Sequence, residues 1–419
     1  MTTITGDSPA PVSESDRIDS LDVLRGFAVL GILSINIGSF AMPGAAYFDP
    51  TAWGNLTGAN YWIWWVSHVL ADLKFMAIFS MLFGAGIVLM AERHESRGRP
   101  SSGLHYRRMA WLIVFGLMHA HLLWYGDILV WYGVTGLFIY LFRHRSPRTL
   151  ITCAIISWIV GSSVMVAGGL SAPSWPPEVA AEIVGDLKPT AEVTAAEIAA
   201  YQGGWLQQME HRVPAAVGME TETYLFWAVW RVSGLMLMGM ALFKLGVFSA
   251  KSSARTYLTF IGLALLVGIP VISYGVARNF AIDWRAPDFF FLGSQFNYWG
   301  SILVALGWVS GVMLACRTPA FRSLTDRLAA VGRMAFTNYI MQTIICTWIF
   351  YGHGLGLFAQ VERTTQTAVL LGVWAFQLIV SPIWLDRFHY GPLEWLWRSL
   401  VYTRRQRFRR SPSLRAAGV

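Results

Sequence analysis

His119, His121 and Asp127 lie in "GLMHAHLLWYGDILVWYG", residues 116–133, a stretch that is otherwise almost wholly apolar. Imidazole and carboxylate are the groups that move protons, and a carboxylate beside an imidazole orients it and raises its basicity. An ionisable side chain in hydrocarbon costs a few kcal/mol, so each one found there points to a function. His119 and Asp127 stand on two sides of a very short hairpin, one to two helical turns apart. That spacing fits a general base, His119, with an orienting acid, Asp127. A structural role fits Asp127 as well: it follows Gly126 and opens a helix, where a carboxylate caps free N–H groups. His121 faces another direction than His119 and suits hydrogen bonding between helices.

Other polar residues fall in neighbouring apolar runs. At a rise of about 1.5 Å per residue, Asn36, His119, Arg231 and Gln342 share a layer between the midplane and the outer leaflet. His68, Asp72 and Lys74 sit higher. Asp72, Lys74, Arg231, Asn338 and Gln342 are therefore expected to line an outward-opening cavity. Simpler roles stand beside that one. Asp72 and Lys74 suit interfacial anchoring, Asn338 and Gln342 suit helix-to-helix amide bonds, and Arg231 calls for a buried partner such as Asp72 or Glu222.

These residues need helices to hold them. Of 419 residues, 55% are hydrophobic and 13% charged, with 20 Trp. Soluble proteins average about 25% charged. Apolar runs of about 20 residues recur, each able to cross a bilayer core of roughly 30 Å. The fold class is all-α, a polytopic membrane helix bundle; an open sheet has edges that lipid cannot satisfy. Ten spans are predicted: 23–42, 61–91, 109–124, 127–143, 149–171, 223–243, 256–277, 295–316, 334–351 and 366–386. The second is long, with a break expected near Asp72. Lys and Arg then segregate into one set of loops, which places both termini in the cytoplasm. The net charge of +8 belongs to those loops, which argues against nucleic acid as a partner; membrane lipid is the expected surrounding. "YWIWWVSH" and "EWLWRS" read as outer and inner aromatic belts.

Residues 1–16 form a polar tail, predicted to be disordered and lacking the basic start of a signal peptide. Residues 17–402 form the bundle, and 403–419 a basic cytoplasmic tail. The segment 172–222 is the one long external stretch, and "PTAEVTAAEIAAYQGG" within it has the N-cap and composition of a surface helix. Cys153, Cys316 and Cys346 sit in apolar runs and read as small core residues, with no metal site.

"SLDVLRGFAVLGILSINI", "KFMAIFSMLFGAGI", "GLMHAHLLWYGDIL", "GRMAFTNYIMQTIICT" and "GPLEWLWRSL" resemble the signature blocks of the YeiB family of bacterial inner-membrane proteins, a domain of unknown function. The resemblance covers most of residues 17–402, without 172–222. That family in turn resembles the transmembrane acyltransferase superfamily, which includes heparan-glucosaminide N-acetyltransferase. Many bacterial members have a basic residue, ten residues and a His; here Arg25 and Asn36 hold those positions. The heparan enzyme has Asn at that spacing and an "ADL" matched by Ala71, Asp72 and Leu73. Its His meets Ala45, Ala46 or Tyr47 here.

The superfamily resemblance implies acyl transfer from cytosolic acyl-CoA to an envelope glycan or small-molecule acceptor. His119 then serves as base, Asp127 as its orienter and Asn36 as oxyanion donor, with Arg25 and Arg333 of the basic loops holding the coenzyme's phosphates. Arg25, three residues after Asp22, equally fits an ion pair. Midplane polar groups also fit a small-solute transporter or permease, and a long outer segment over a polar cavity fits a non-catalytic membrane partner or sensor.

Overall fold

The computed structural model describes residues 18–410. The predicted tail 1–16 and the last nine residues of the basic tail lie outside them. Among the described residues the chain is helical, with no strand and a single β-bridge between Phe388 and Arg409. Helices are what apolar runs must form where only the backbone can satisfy itself.

In chain order the helices are α1 (Asp19–Ala41), the short α2 (Ala45–Phe48), α3 (Gly58–Leu70), α4 (Lys74–Glu95), α5 (Ser102–Leu122), α6 (Leu129–Ile139) and α7 (Pro147–Ser171). Three helices follow in the predicted external segment: α8 (Pro177–Leu187), α9 (Ala191–Gln202) and α10 (Trp205–Gly218). The last runs through a π-helical stretch, Met219–Ala228, into α11 (Val229–Lys244). The remainder are α12 (Ala254–Leu263), α13 (Ile269–Ala281), α14 (Ser294–Arg317), α15 (Arg322–Arg333), α16 (Ala335–Phe350), α17 (Arg363–Arg387) and α18 (Pro392–Val401).

Among the described residues, seven helical stretches are long and apolar enough to cross a membrane: Asp19–Ala41, Gly58–Glu95, Pro147–Ser174, Trp205–Lys244, Ala254–Ala281, Phe289–Arg317 and Arg363–Arg387. The other three predicted spans also fall on helices: 109–124 on α5, 127–143 on α6 with its 3-10 turn Tyr140–Phe142, and 334–351 on α16. Burial sorts centre from rim. The apolar windows of Gly58–Glu95 and Trp205–Lys244 are 67% buried, those of α7, α12–α13 and α17 only 28%. The rim helices thus present the broad apolar faces that lipid would cover.

The predicted break near Asp72 is present: α3 ends at Leu70, and Leu73 takes the left-handed conformation, φ 65°. A non-glycine residue there is strained. The turn holds His68, Asp72 and Lys74 within reach of one another and of α14. The predicted surface helix starts at the Thr190 cap, whose hydroxyl accepts the Val193 N–H at 3.3 Å. Glu197 of that helix accepts the Gly44 N–H at 2.9 Å and ties the external segment to the end of α1. Burial pushes the Glu197 carboxyl above its usual range, against the opposing pull of Gly44 N–H and His211.

Several helices were not expected, α2, α15 and α18 among them. Residues 322–333, predicted as a basic loop, form α15, which packs along α1. Gly26 lies against the Leu328 carbonyl and Gly332 against the Asp22 carbonyl, closer than a Cβ permits. The basic tail is described as far as residue 410. The Phe408 ring packs on Phe388 and Trp395, and its carbonyl accepts the His389 N–H at 2.9 Å.

Candidate functional site

The structure gathers the predicted polar residues into separate groups. The first lies between α5, α6 and α16. The last turn of α5 closes on the His119 carbonyl, which accepts the Leu123 and Trp124 N–H groups. The chain then turns and brings Asp127 back against His119. Asp127 Oδ2 accepts the Val130 N–H at 2.8 Å in the first turn of α6, and Oδ1 meets His119 Nδ1 at 2.8 Å. Capping and orienting are both done by the one carboxylate. His119 Nε2 stands 2.9 Å from Thr343 Oγ1 on α16.

Hydrogens follow from chemistry. A carboxylate only accepts, so Nδ1 carries the proton, Nε2 of the neutral ring has the lone pair, and Thr343 donates to it. The line is Asp127–His119–Thr343, the arrangement that activates a hydroxyl. It is closed from solvent, with His119 2%, Asp127 3% and Thr343 1% exposed. The rings of Tyr339 and Trp124 flank the imidazole at 5.1 and 6.3 Å.

The second group lies at the α3–α4 break. His68 Nδ1 meets Asp72 Oδ2 at 3.2 Å, and the same oxygen accepts from Asn297 Nδ2 at 2.8 Å. Asn297 Oδ1 accepts from Lys74 Nζ at 2.5 Å, and Nζ also donates to the His68 carbonyl at 2.8 Å. Lys74 is fully buried, and the Asn297 amide bridges its ammonium to the Asp72 carboxylate by hydrogen bonds. His68 and Asp72 line an open cleft of about 90 Å³, with Trp64, Tyr47, Ser34 and Arg363 among its walls. Trp64 stacks on His68 at 5.5 Å. Asn297→Leu removes the amide that couples Lys74 to Asp72. The variant is expected to lose about 2–3 kcal/mol of stability, the scale of hydrogen bonds to charged groups. The unfolding midpoint in detergent measures it, and an unchanged midpoint would deny the bridge its role.

The remaining predicted residues are placed elsewhere. Arg231 is fully buried, but its partners are the Tyr298 carbonyl and Ser301 Oγ, both at 2.6 Å, with the Tyr298 ring at 4.5 Å. Neither Asp72 nor Glu222 pairs with it, because Arg231 faces α14. Asn338 donates to the Val331 carbonyl and to Ser381 Oγ, and Gln342 to the Val29 carbonyl and Gln377 Oε1. These amides bond α16 to α1, α15 and α17 and do not line the cleft. Asn36 is half-buried on α1; the two nitrogens of His119 are taken by Asp127 and Thr343. His121 meets Glu220 at 3.2 Å. Arg25 pairs with Asp22 at 2.5 Å. Arg333 ends α15, next to Gly332, which backs onto the Asp22 carbonyl; Arg25 and Arg333 thus stand on facing helices.

Sequence reasoning missed Thr343 and Asn297 as site members, and placed His68 beside Asp72 and Lys74 without giving it a role. The His68–Asp72 spacing of four residues, one helical turn, was the available signal for that role.

The family profile described as "Protein of unknown function (DUF418)" matches residues 242–404. "Uncharacterized protein YeiB" of Escherichia coli (strain K12) is 31% identical over 398 residues, 92% of this chain and 96% of that protein. "Uncharacterized protein YxaH" of Bacillus subtilis (strain 168) is 30% identical over 411 residues, 94% and 96% of the two chains. An "Uncharacterized 39.9 kDa protein in amylase 3'region" of Bacillus acidopullulyticus is 26% identical over 412 residues, again covering 94% and 96%. With similarity at this level running from end to end and over a helix bundle of this kind, the chain belongs to the YeiB family of DUF418 membrane proteins.

Proposed function

We propose that this protein transfers an acyl group from cytosolic acyl-CoA to a hydroxyl or amine acceptor on the far side of the bacterial inner membrane. The observation that carries the reading is the Asp127–His119–Thr343 line, a buried imidazole held in one tautomer with its basic nitrogen against a hydroxyl. Thr343 marks where an acceptor hydroxyl presents its proton. Separation of α5 from α16 admits the acceptor in its place. His119 Nε2 then takes the proton as the acceptor oxygen bonds to the thioester carbonyl, the C–S bond breaks, and the coenzyme thiolate receives the proton from His119. Asn36 serves as donor to the oxyanion. Arg25 and Arg333, on facing helices, hold phosphates of the coenzyme.

Acetyl-CoA is the probe. A ligand at 100 times its Kd stabilises a folded protein by about 2.7 kcal/mol, so the purified protein is expected to unfold at a higher temperature with it. No shift at millimolar acetyl-CoA would count against the reading.

A second reading, a solute carrier, is favoured by one observation: Asp72, which lines the open cleft, is linked by hydrogen bonds through Asn297 to the fully buried Lys74. It predicts saturable uptake into vesicles free of acyl-CoA, which the first reading does not.

A further inference from the structure

At the face carrying the basic loops, α5 meets α18. The sequence reads "EWLWRS" there as an interfacial belt; the structure gives two of its residues another setting. The Arg108 guanidinium lies over the Trp397 ring at 5.1 Å, and Arg398 lies over the Tyr390 ring at 4.8 Å. Stacking of this kind holds a guanidinium in place while its N–H edge stays available. Arg108 Nη1 donates to the thioether of Met90 at 3.0 Å, a weak acceptor. Arg398 Nε, Arg107 Nε and Trp397 Nε1 are buried and make no hydrogen bond within the protein. Arg398 and Arg25 both lie close enough to Arg108 for their charges to repel it.

The nearby carboxylates are committed elsewhere. Asp22 is taken by Arg25. Glu394 of α18 accepts the Phe336 and Thr337 N–H groups at 2.7 and 3.0 Å and the Thr337 hydroxyl at 2.6 Å, at the start of α16. Among the described residues, Arg107, Arg108 and Arg398 make no ion pair. Guanidinium groups on two helices, propped on aromatic rings, with unpartnered N–H donors and no counter-charge, form a receptor for an anion with several oxygens. Basic sites of this kind between membrane helices take phosphate head groups, and guanidinium forks match phosphate oxygens two at a time.

We infer that Arg108 and Arg398, propped on Trp397 and Tyr390, form a binding site for a phosphate ester, carried either by an anionic lipid or by a soluble nucleotide. The site does not depend on the acyl-transfer reading.

The test uses the purified full chain and two probes. Adenosine 3′,5′-bisphosphate is titrated in detergent, and the unfolding midpoint is compared between nanodiscs of phosphatidylglycerol and of phosphatidylcholine. Binding of one probe by the unaltered protein is expected to weaken about 10- to 100-fold in Arg108→Gln and in Arg398→Gln, the loss of one or two hydrogen bonds to a charged group. Arg108→Lys keeps the charge, loses the fork and is expected to fall between. Arg322→Gln, a basic-face control whose side chain is 85% exposed, is expected to bind as the unaltered protein does. A bisphosphate response assigns the site to a soluble phosphate, and a response confined to phosphatidylglycerol assigns it to lipid. Either stands even if acetyl-CoA fails to bind. No response to both probes, or equal weakening by Arg322→Gln, would overturn the site.

Discussion

His119→Ala is expected to cut acylation of an envelope acceptor by roughly 10²–10⁴-fold, the usual contribution of a positioned general base. Two costs must be kept apart. The chemical one is loss of Nε2. The structural one is a buried carboxylate with one partner fewer: Asp127 keeps only the Val130 N–H, a penalty of about 1–3 kcal/mol for the abandoned acceptor. Asp127→Asn separates the two. Asn still accepts the Val130 N–H, so α6 keeps its cap, but an amide no longer fixes the imidazole tautomer or supports its positive charge. Activity is expected to fall with little change in the unfolding midpoint. Thr343→Val makes the opposite cut. If the acceptor hydroxyl takes the place of Thr343, the variant loses a hydrogen bond at rest and retains activity within about tenfold. Acylation by His119→Ala membranes at the unaltered rate, with equal amounts of inserted protein, would remove His119 from the chemistry.

The pairing of His119 with Asp127 was legible because it is local: a short hairpin forces its two helices to be neighbours, and eight residues settle which groups face each other. The break at Leu73 was legible for a similar reason, since polar residues clustered in the middle of an over-long apolar run. What the sequence hid is direction around a helix axis. Rise per residue sorts polar groups by depth, and by depth Arg231 and Gln342 share a layer with His119. The packed structure turns Arg231 to α14 and Gln342 to α17, so equal depth did not mean one chamber. Thr343 left no mark, being a hydroxyl in an apolar helix, where most hydroxyls bond their own backbone. The α15 helix was hidden by its exposed face: Arg322, Asp326 and Arg327 read as loop, although Leu328, Val331 and Gly332 are the face that meets α1. The predicted spans otherwise lie on helices because lipid leaves the backbone little alternative.

Gly239→Val is expected to leave almost no folded protein, a loss of several kcal/mol. At the crossing of α4 and α11, a Cβ on Gly239 would collide with the Met81 carbonyl, and a Cβ on Gly84 with the Met236 carbonyl. Each glycine faces the backbone of the residue three before the other, so the two helices touch main chain to main chain. Contact this close draws on packing and on Cα–H···O attraction. Overpacking a core costs about 1–3 kcal/mol when side chains can give way; here the obstacle is backbone, and the helices themselves must part. Met81, Met236 and Met240 are fully buried around the contact, so parting them opens a void as well. The consequence reaches the polar groups, because α4 begins at Lys74 and α11 carries Arg231. Gly86→Ala is the control on the same helix: nothing lies within 4 Å of its Cβ position, and alanine there is expected to stabilise by up to about 1 kcal/mol through helix propensity. Gly239→Ala should fall between, destabilised by the collision of its single methyl. Were Gly239→Ala to unfold at the same temperature as Gly86→Ala, the two backbones could not be in contact, and the register that sets Lys74 beside Asn297 would have to be held by something other than this crossing.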